Sequence, residues 1–383
     1  FHLPCFRKIV YEMPTTGNED AEKSIPLNLQ RLFYNLQFSD NSTSTNDLTK
    51  SFGWGSVETF NQHDSQEFLR VLLDNLQDKM TKANLPNEIP SLFKGKIRRY
   101  VQCTNVDYQS SIDEDFYDIS IPIKDLPRLS DSFESYIKPQ ELNGKNQYHT
   151  DKFGYQDAMT GEIFLSFPPI LFLHLARFQY SMTTGQLEKV NDRFEFPESI
   201  DLTGYLAKDA PGLQNNNLYD LYGVIVHAGS MQGGHYYAYL KTHDNDNNEQ
   251  WYQFNDSTVT KDSVTNVIQN FGGYTINHHH YENDRFHHHY YENDRSYDPY
   301  NDRIDAHINR GYNDNYIDPS KIVRKEDHGT PISHSAYILI YVRKDVADKV
   351  FKPLTDNDVP EHLKEFMKIK EIEKINQRKE RIQ

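Results

Sequence analysis

Gly233-Gly234-His235-Tyr236-Tyr237-Ala238-Tyr239-Leu240 sets a glycine pair ahead of a histidine and a run that alternates like a strand. Glycines let the backbone turn sharply and let another segment come close. A histidine held on such a strand is placed to act as a general base. Trp251-Tyr252-Gln253-Phe254-Asn255-Asp256 follows as a second strand that ends in an amide and a carboxylate. Pairing the two strands would bring Asn255 or Asp256 against the His235 ring, giving the base and the orienting partner of a nucleophilic site. Gly-Gly-His alone is a weak signal, because a loop histidine with no partner in hydrogen-bond reach is a bystander.

Upstream, His63-Asp64-Ser65-Gln66-Glu67-Phe68 opens the clearest helix, with Leu69, Leu72, Leu73, Leu76 and Met80 on one stripe. Asp64 and Glu67 have capping-box spacing. Two readings stand: both acids cap the helix, worth about 1 kcal/mol, or both face a cleft and hold a basic peptide. His227, in His227-Ala228-Gly229, reads either as a satisfied structural histidine or as a neighbour of His235. The chain has two cysteines, Cys5 and Cys103, and neither belongs to a CxxC pair. That excludes a disulfide framework and a cysteine zinc site. Cys103 shares a side with Val101 and reads as a small buried hydrophobe.

The remaining chain supplies the elements that must hold these residues. Phe6, Ile9, Val10 and Met13 have helical spacing, and so do Leu27, Leu29, Leu32, Phe33 and Leu36. Thr43 to Thr49 reads as a polar loop. Lys94 to Lys124 alternates as two strands around an acidic loop, and Leu129 to Tyr136 reads as a helix. Phe167 to Phe178 is a proline-gated apolar strand for the middle of a sheet. Lys189 to Pro197 is a further strand, and Tyr219 to His227 leads to the glycine pair. Residues 277–333 break the pattern with near repeats such as His278-His279-His280-Tyr281 and His287-His288-His289-Tyr290. Aliphatics are too few there to build a core, and adjacent histidines in such a chain lack fixed metal geometry. Ser335 to Val342 resumes as a buried strand. Residues 344–383 read as a charged helical connector.

The chain has 383 residues and a net charge of -15. Such a surplus of acid disfavours nucleic acid and anionic membrane and suits a basic ligand. Mean hydropathy is -0.80, so part of the chain must stay wet. No apolar run is long enough to span a bilayer and no secretory signal is present. The cysteine usage suits a reducing compartment, and nucleus and cytoplasm are the expected setting. Since the first residue is Phe1, a piece of a longer protein or a processed product is expected.

The order of these features resembles the catalytic domain of the ubiquitin-specific proteases. The resemblance is carried by Ser51-Phe52-Gly53-Trp54, Gln62-His63-Asp64, Arg70 to Asn75, Leu92-Phe93-Lys94-Gly95-Lys96, Asn191-Asp192-Arg193-Phe194-Glu195-Phe196-Pro197 and the histidine box from Tyr219 through His227 to Tyr236. It implies an α+β, papain-like cysteine peptidase with thumb, palm and fingers, spanning 1–343. The thumb would run to about residue 92. Strands near 97–122 and 187–196 would be the fingers, and those around 170–178, 219–240, 250–254 and 336–342 the palm. It implies His235 as catalytic base, with Asn255 and Asp256 orienting it. Asp64 and Glu67 would hold the arginines of the ubiquitin tail, and Phe178, Tyr180, His227 and Tyr236 would wall a channel for its two glycines. No metal or cofactor is implied, because the CxxC pairs that hold a fingers zinc in relatives are missing. The family's nucleophile lies in a Gly-x-Thr-Cys-Tyr setting with an Asn upstream, and neither is present. Cys5, between Leu3-Pro4 and Phe6-Arg7, is not expected to replace it. The expectation is a deubiquitinase domain that lacks the start of its thumb and is inactive as written, or else a ubiquitin-binding pseudoenzyme or scaffold.

Overall fold

In the computed structural model, residues 1–15, 23–39, 42–53, 64–230, 233–243, 248–275, 322–323 and 330–382 are described. Trp54, Gln62, His63 and most of the 277–333 segment lie outside them. Five helices come first: α1 Pro4–Glu12, α2 Ile25–Phe38, α3 Asn46–Ser51, α4 Ser65–Lys82 and α5 Glu88–Phe93. Pro4 and Pro26 each sit in a first turn, where a missing N–H costs nothing. Gln30 of α2 is fully buried and donates to Val10 O (2.9 Å) and Met13 O (3.0 Å), tying α1 to α2. The expected loop at Thr43–Thr49 is instead largely α3. Its Leu48 is buried, so packing overrides a polar composition.

Strands follow: β1 Gly95–Cys103, β2 Gln109–Phe116, β3 Ile119–Ile121, β4 Gln140–Leu142, β5 Tyr148–Thr150, β6 Gly154–Gln156, β7 Ala158–Ser166, β8 Ile170–Leu175, β9 Phe178–Ser181, β10 Gln186–Lys189, β11 Ser199–Asp201, β12 Leu218–Ser230, β13 Gly233–His243, β14 Glu249–Asn255 and β15 Thr258–Asp262. Helix α6 (Leu129–Ile137) lies between β3 and β4, and α7 (Val264–Ile268) follows β15. The fingers are the sheet β2-β1-β7-β4. β16 Tyr274–Thr275, β17 Ile322–Val323 and β18 Thr330–Pro331 form a small sheet, so the end of the expected insertion rejoins the fold. β19 His334–Arg343, α8 Ala347–Val350 and α9 Glu361–Ile382 close the chain. Leu363 of α9 is buried, and Arg31 of α2 lies over the Phe366 ring at 3.8 Å.

The palm is an eight-stranded sheet, β15-β14-β13-β12-β19-β8-β3 with β11 added to β12. All neighbours are antiparallel except β3 and β8. Its middle strands are apolar on both faces because both are covered. Ile170, Phe172 and Ile340 face the helices, beside Leu73 and Phe93. Leu171, Leu173, Leu339 and Tyr341 join Phe133, Phe164 and Phe194 on the other side. Two expected finger strands are reassigned. Ile119–Ile121 pairs with β8 and belongs to the palm, and Gln186–Lys189 pairs only with β9, as a free-standing hairpin.

Residues 190–197 form no strand, although Phe194 and Phe196 are buried. Their carbonyls are engaged otherwise. Arg177, fully buried, donates to Val190 O (3.0 Å), Asp192 O (3.1 Å), Phe271 O (3.0 Å) and Ala336 O (2.7 Å). One guanidinium thus fastens three separate stretches of backbone, at 190–192, 271 and 336. Among the described residues, no helix is long and apolar enough to cross a membrane.

Candidate active site

β13 presents His235 and β14 presents Asn255, in the register that pairs Ala238 with Phe254. His235 Nε2 lies 2.5 Å from Asn255 Oδ1. An amide oxygen accepts, so Nε2 carries a proton, and in the neutral ring Nδ1 then keeps its lone pair. That tautomer is the one able to take a proton from a nucleophile. Asp256 adopts a left-handed φ of 50° and its carboxylate stands 4.0 Å from the same Nε2, too far for a hydrogen bond. Asn255 therefore orients the ring, while exposed Asp256 acts on it only through charge.

The other expected residues gather on the thumb side of the same hairpin. Asp64 caps α4: its Oδ1 accepts from Gln66 N (2.7 Å) and Glu67 N (3.3 Å). The other carboxylate oxygen accepts a hydrogen bond from the Tyr337 hydroxyl. Around that pair stand His174 (ring centroid 4.7 Å from Tyr337), Phe178 (5.6 Å) and Tyr236 (5.6 Å), and His227 meets Tyr236 at 4.9 Å and Phe178 at 5.3 Å. A register shift between Ile225 and Val226 precedes His227 and sets it opposite Ser335. Asp64, Phe178, His227 and Tyr236 are thus brought together. Glu67 is exposed on the first turn of α4, and Tyr180 is exposed on β9 opposite Leu187, outside this cluster. Tyr337 and His174 were not anticipated. Each reads in sequence as one more strand residue.

His227 is 4 % exposed, and burial, with the Lys189 charge nearby, lowers its pKa from 6.5 to about 4. Burial also lowers His174 and His334. Between pH 6.5 and 4 the unfolded chain would bind a proton at position 227 that the folded chain refuses. Stability is therefore expected to fall with pH across that window, by about 3 kcal/mol for His227 once fully developed. Urea midpoints at pH 7 and pH 4.5 check this: the acid loss should shrink in His227→Gln, and an equal loss in both proteins would remove His227 as the cause.

Neither cysteine is set against His235. Cys5 lies in the first turn of α1 beside Tyr222, and burial pushes its thiol up to about 11. Cys103 is buried at the end of β1, opposite Ala158 in the fingers. The raised pKa makes the Cys5 thiol a poor nucleophile, and Cys103 is enclosed in the fingers strand pair. The start of α1 does approach the site, because His2 packs its ring 4.6 Å from Phe254. Among the described residues, no cluster of three or more His, Cys, Asp or Glu side chains could hold a metal ion.

Comparison with known proteins gives this arrangement a context. The family profile for ubiquitin carboxyl-terminal hydrolase matches residues 1–341. Ubiquitin carboxyl-terminal hydrolase 5 of Schizosaccharomyces pombe is 39 % identical over 366 residues, which is 95 % of this chain and 29 % of that protein. Ubiquitin C-terminal hydrolase 12 of Arabidopsis thaliana is 37 % identical over 388 residues, covering all of this chain and 31 % of its own length. Ubiquitin carboxyl-terminal hydrolase 15 of Saccharomyces cerevisiae is 38 % identical, over 95 % of this chain and 27 % of its own. The chain thus spans about a third or less of these relatives. Among solved structures, the SAGA Ubp8/Sgf11/Sus1/Sgf73 DUB module superposes with a TM-score of 0.59 at 19 % identity, covering 89 % of this chain and 64 % of that one, a likeness of fold. With a profile match across nearly its whole length, the chain belongs to the ubiquitin carboxyl-terminal hydrolase family.

Proposed function

We propose that this chain is the ubiquitin-engaging unit of a cysteine-type deubiquitinase, which acts on the isopeptide bond at the C-terminal glycine of ubiquitin. The observation that carries the reading is the His235–Asn255 contact, one step along β13 from Tyr236 of the aromatic cluster. In this scheme His235 Nδ1 takes the proton of a thiol, and the imidazolium gives it to the departing lysine amine. Asn255 holds the ring without adding charge. Asp64 and Glu67 pair with the tail arginines. Phe178, His227 and Tyr236 line the passage for the glycines, and exposed Tyr180 on the same hairpin as Phe178 flanks it. The order of motifs over nearly the whole chain suits a place near the herpesvirus-associated member of the family.

Because Cys5 and Cys103 are both unsuited to attack, a ubiquitin-binding protein without turnover is the second reading. The chain is expected to bind ubiquitin and to leave a ubiquitin–fluorophore substrate intact. Turnover that disappears in Cys5→Ala would overturn the assignment of Cys5 as structural. Asp64→Asn keeps a side chain that caps helices well. It should still weaken ubiquitin binding about tenfold or more, the worth of a charge-assisted contact. An unchanged dissociation constant, read by calorimetry, would leave Asp64 as a helix cap only.

A further inference from the structure

We propose that Lys189 is a positioning residue: a strut that fixes the spacing of the two channel walls, on which binding of the ubiquitin tail depends. The inference rests on the ubiquitin reading above for its ligand, and on the following contacts for its geometry. One wall is the β9–β10 hairpin, which begins with Phe178 and ends with Lys189, the two residues being paired across it. This hairpin joins no other strand among the described residues. An isolated two-stranded hairpin is marginal in water, so something must dock it. Its tip is open, with Met182 90 % exposed and Tyr180 62 % exposed. The other wall is the β12–β13 hairpin, which carries His227, His235 and Tyr236.

Lys189 Nζ crosses between them. It donates to Gly229 O at 2.9 Å, to Ser333 O at 3.1 Å and to His227 O at 3.4 Å. Three carbonyls from two elements converge on one ammonium, which has three N–H donors to give. Gly229 N in turn donates to Ser333 O at 2.8 Å, which closes the ring of contacts. At the root of the hairpin Val190 N donates to Arg177 O at 2.6 Å. The groups facing the ammonium are Arg177 on the β8–β9 connection, His227 on β12 and His334 on β19; no carboxylate pairs with it among the described residues. Burial and the Arg177 charge lower its pKa to about 8. Above that pH the amine has two N–H groups for three carbonyls, and the strut loosens.

The test uses Lys189→Met, which keeps the stem and removes the donors. Hydrogen exchange of the free variant should be faster in residues 178–189 than in the wild type, with the strands β12 and β19 unchanged. Ubiquitin should bind about tenfold more weakly. Wild-type affinity should fall as pH rises from 7 to 9.5, and the variant's should not follow it. Exchange and affinity both equal to wild type would overturn the proposal. So would a flat wild-type affinity profile across that range, a result that needs no variant to fold. If exchange in the hairpin responds while neither protein binds ubiquitin, the strut stands and the ubiquitin reading fails.

Discussion

Arg177→Met is expected to destabilise the chain by about 3 kcal/mol, as the balance of two opposed effects. The guanidinium is fully buried, and burial lowers its pKa to about 10, so deleting the charge returns about 3 kcal/mol. Against that, the carbonyls of Val190, Asp192, Phe271 and Ala336 lose their donor together. Phe271 O keeps the Phe194 N–H at 2.9 Å, but the other three lose the donor named for them, at about 1–3 kcal/mol each, and together they outweigh the gain. Arg193→Met, which removes a half-buried pair with Glu195 and the contact with the Phe271 ring, should cost about 1–2 kcal/mol. Urea unfolding of the two variants makes the comparison. Equal midpoints would mean that water or local relaxation satisfies the three freed carbonyls, and Arg177 would cease to be a fastening point.

Gly234→Ala should cost about 2–3 kcal/mol and disturb the His235–Asn255 contact as well. Elsewhere the same change is mildly favourable, because alanine reduces the freedom of the unfolded chain. Here the new Cβ would meet the His227 ring and stand 2.7 Å from Ala228 O. The carbonyl belongs to the paired strand and cannot swing away, so the β12–β13 hairpin must part. His227 and His235 flank the clash in register, and both should move. The expected signature is a changed ring-nitrogen NMR shift for His235 together with weakened ubiquitin binding. A variant as stable as the parent, with the His235 signal unmoved, would show that the hairpin is not packed this tightly.

Much of this architecture was legible in the chain. The stripe Leu72, Leu73, Leu76 and Met80 folds as α4, with Asp64 as its cap. The strands flanking the glycine pair, and the return of a buried strand after the histidine repeats, follow from alternation and apolar runs. The His235–Asn255 meeting was also readable, because both residues terminate neighbouring strands. Other features were hidden for physical reasons. Val190, Phe194 and Phe196 look like a strand, yet the carbonyls of Val190 and Asp192 go to Arg177, that of Asn191 to Gly273 N and that of Glu195 to Leu129 N, in place of a ladder. A six-residue helix such as α3 carries too few turns for periodicity to register, and packing of Leu48 decides it. The Tyr337–Asp64 bond joins residues 273 apart, and nothing in Tyr-Ile-Leu-Ile marks that hydroxyl as different from other buried tyrosines.

The order of strands in the palm bears on how the molecule avoids its own kind. An open sheet offers two rows of unpaired amides at its margins, and each can template pairing with another copy. One margin here is β3, only three residues long. The other is β15, whose Lys261 and Asp262 put charge where a second strand would have to dock. Brevity guards one border and ionised side chains guard the other. Replacing that charged pair with valines would remove the second safeguard, and stacking of whole molecules edge to edge would be the outcome to look for in light scattering.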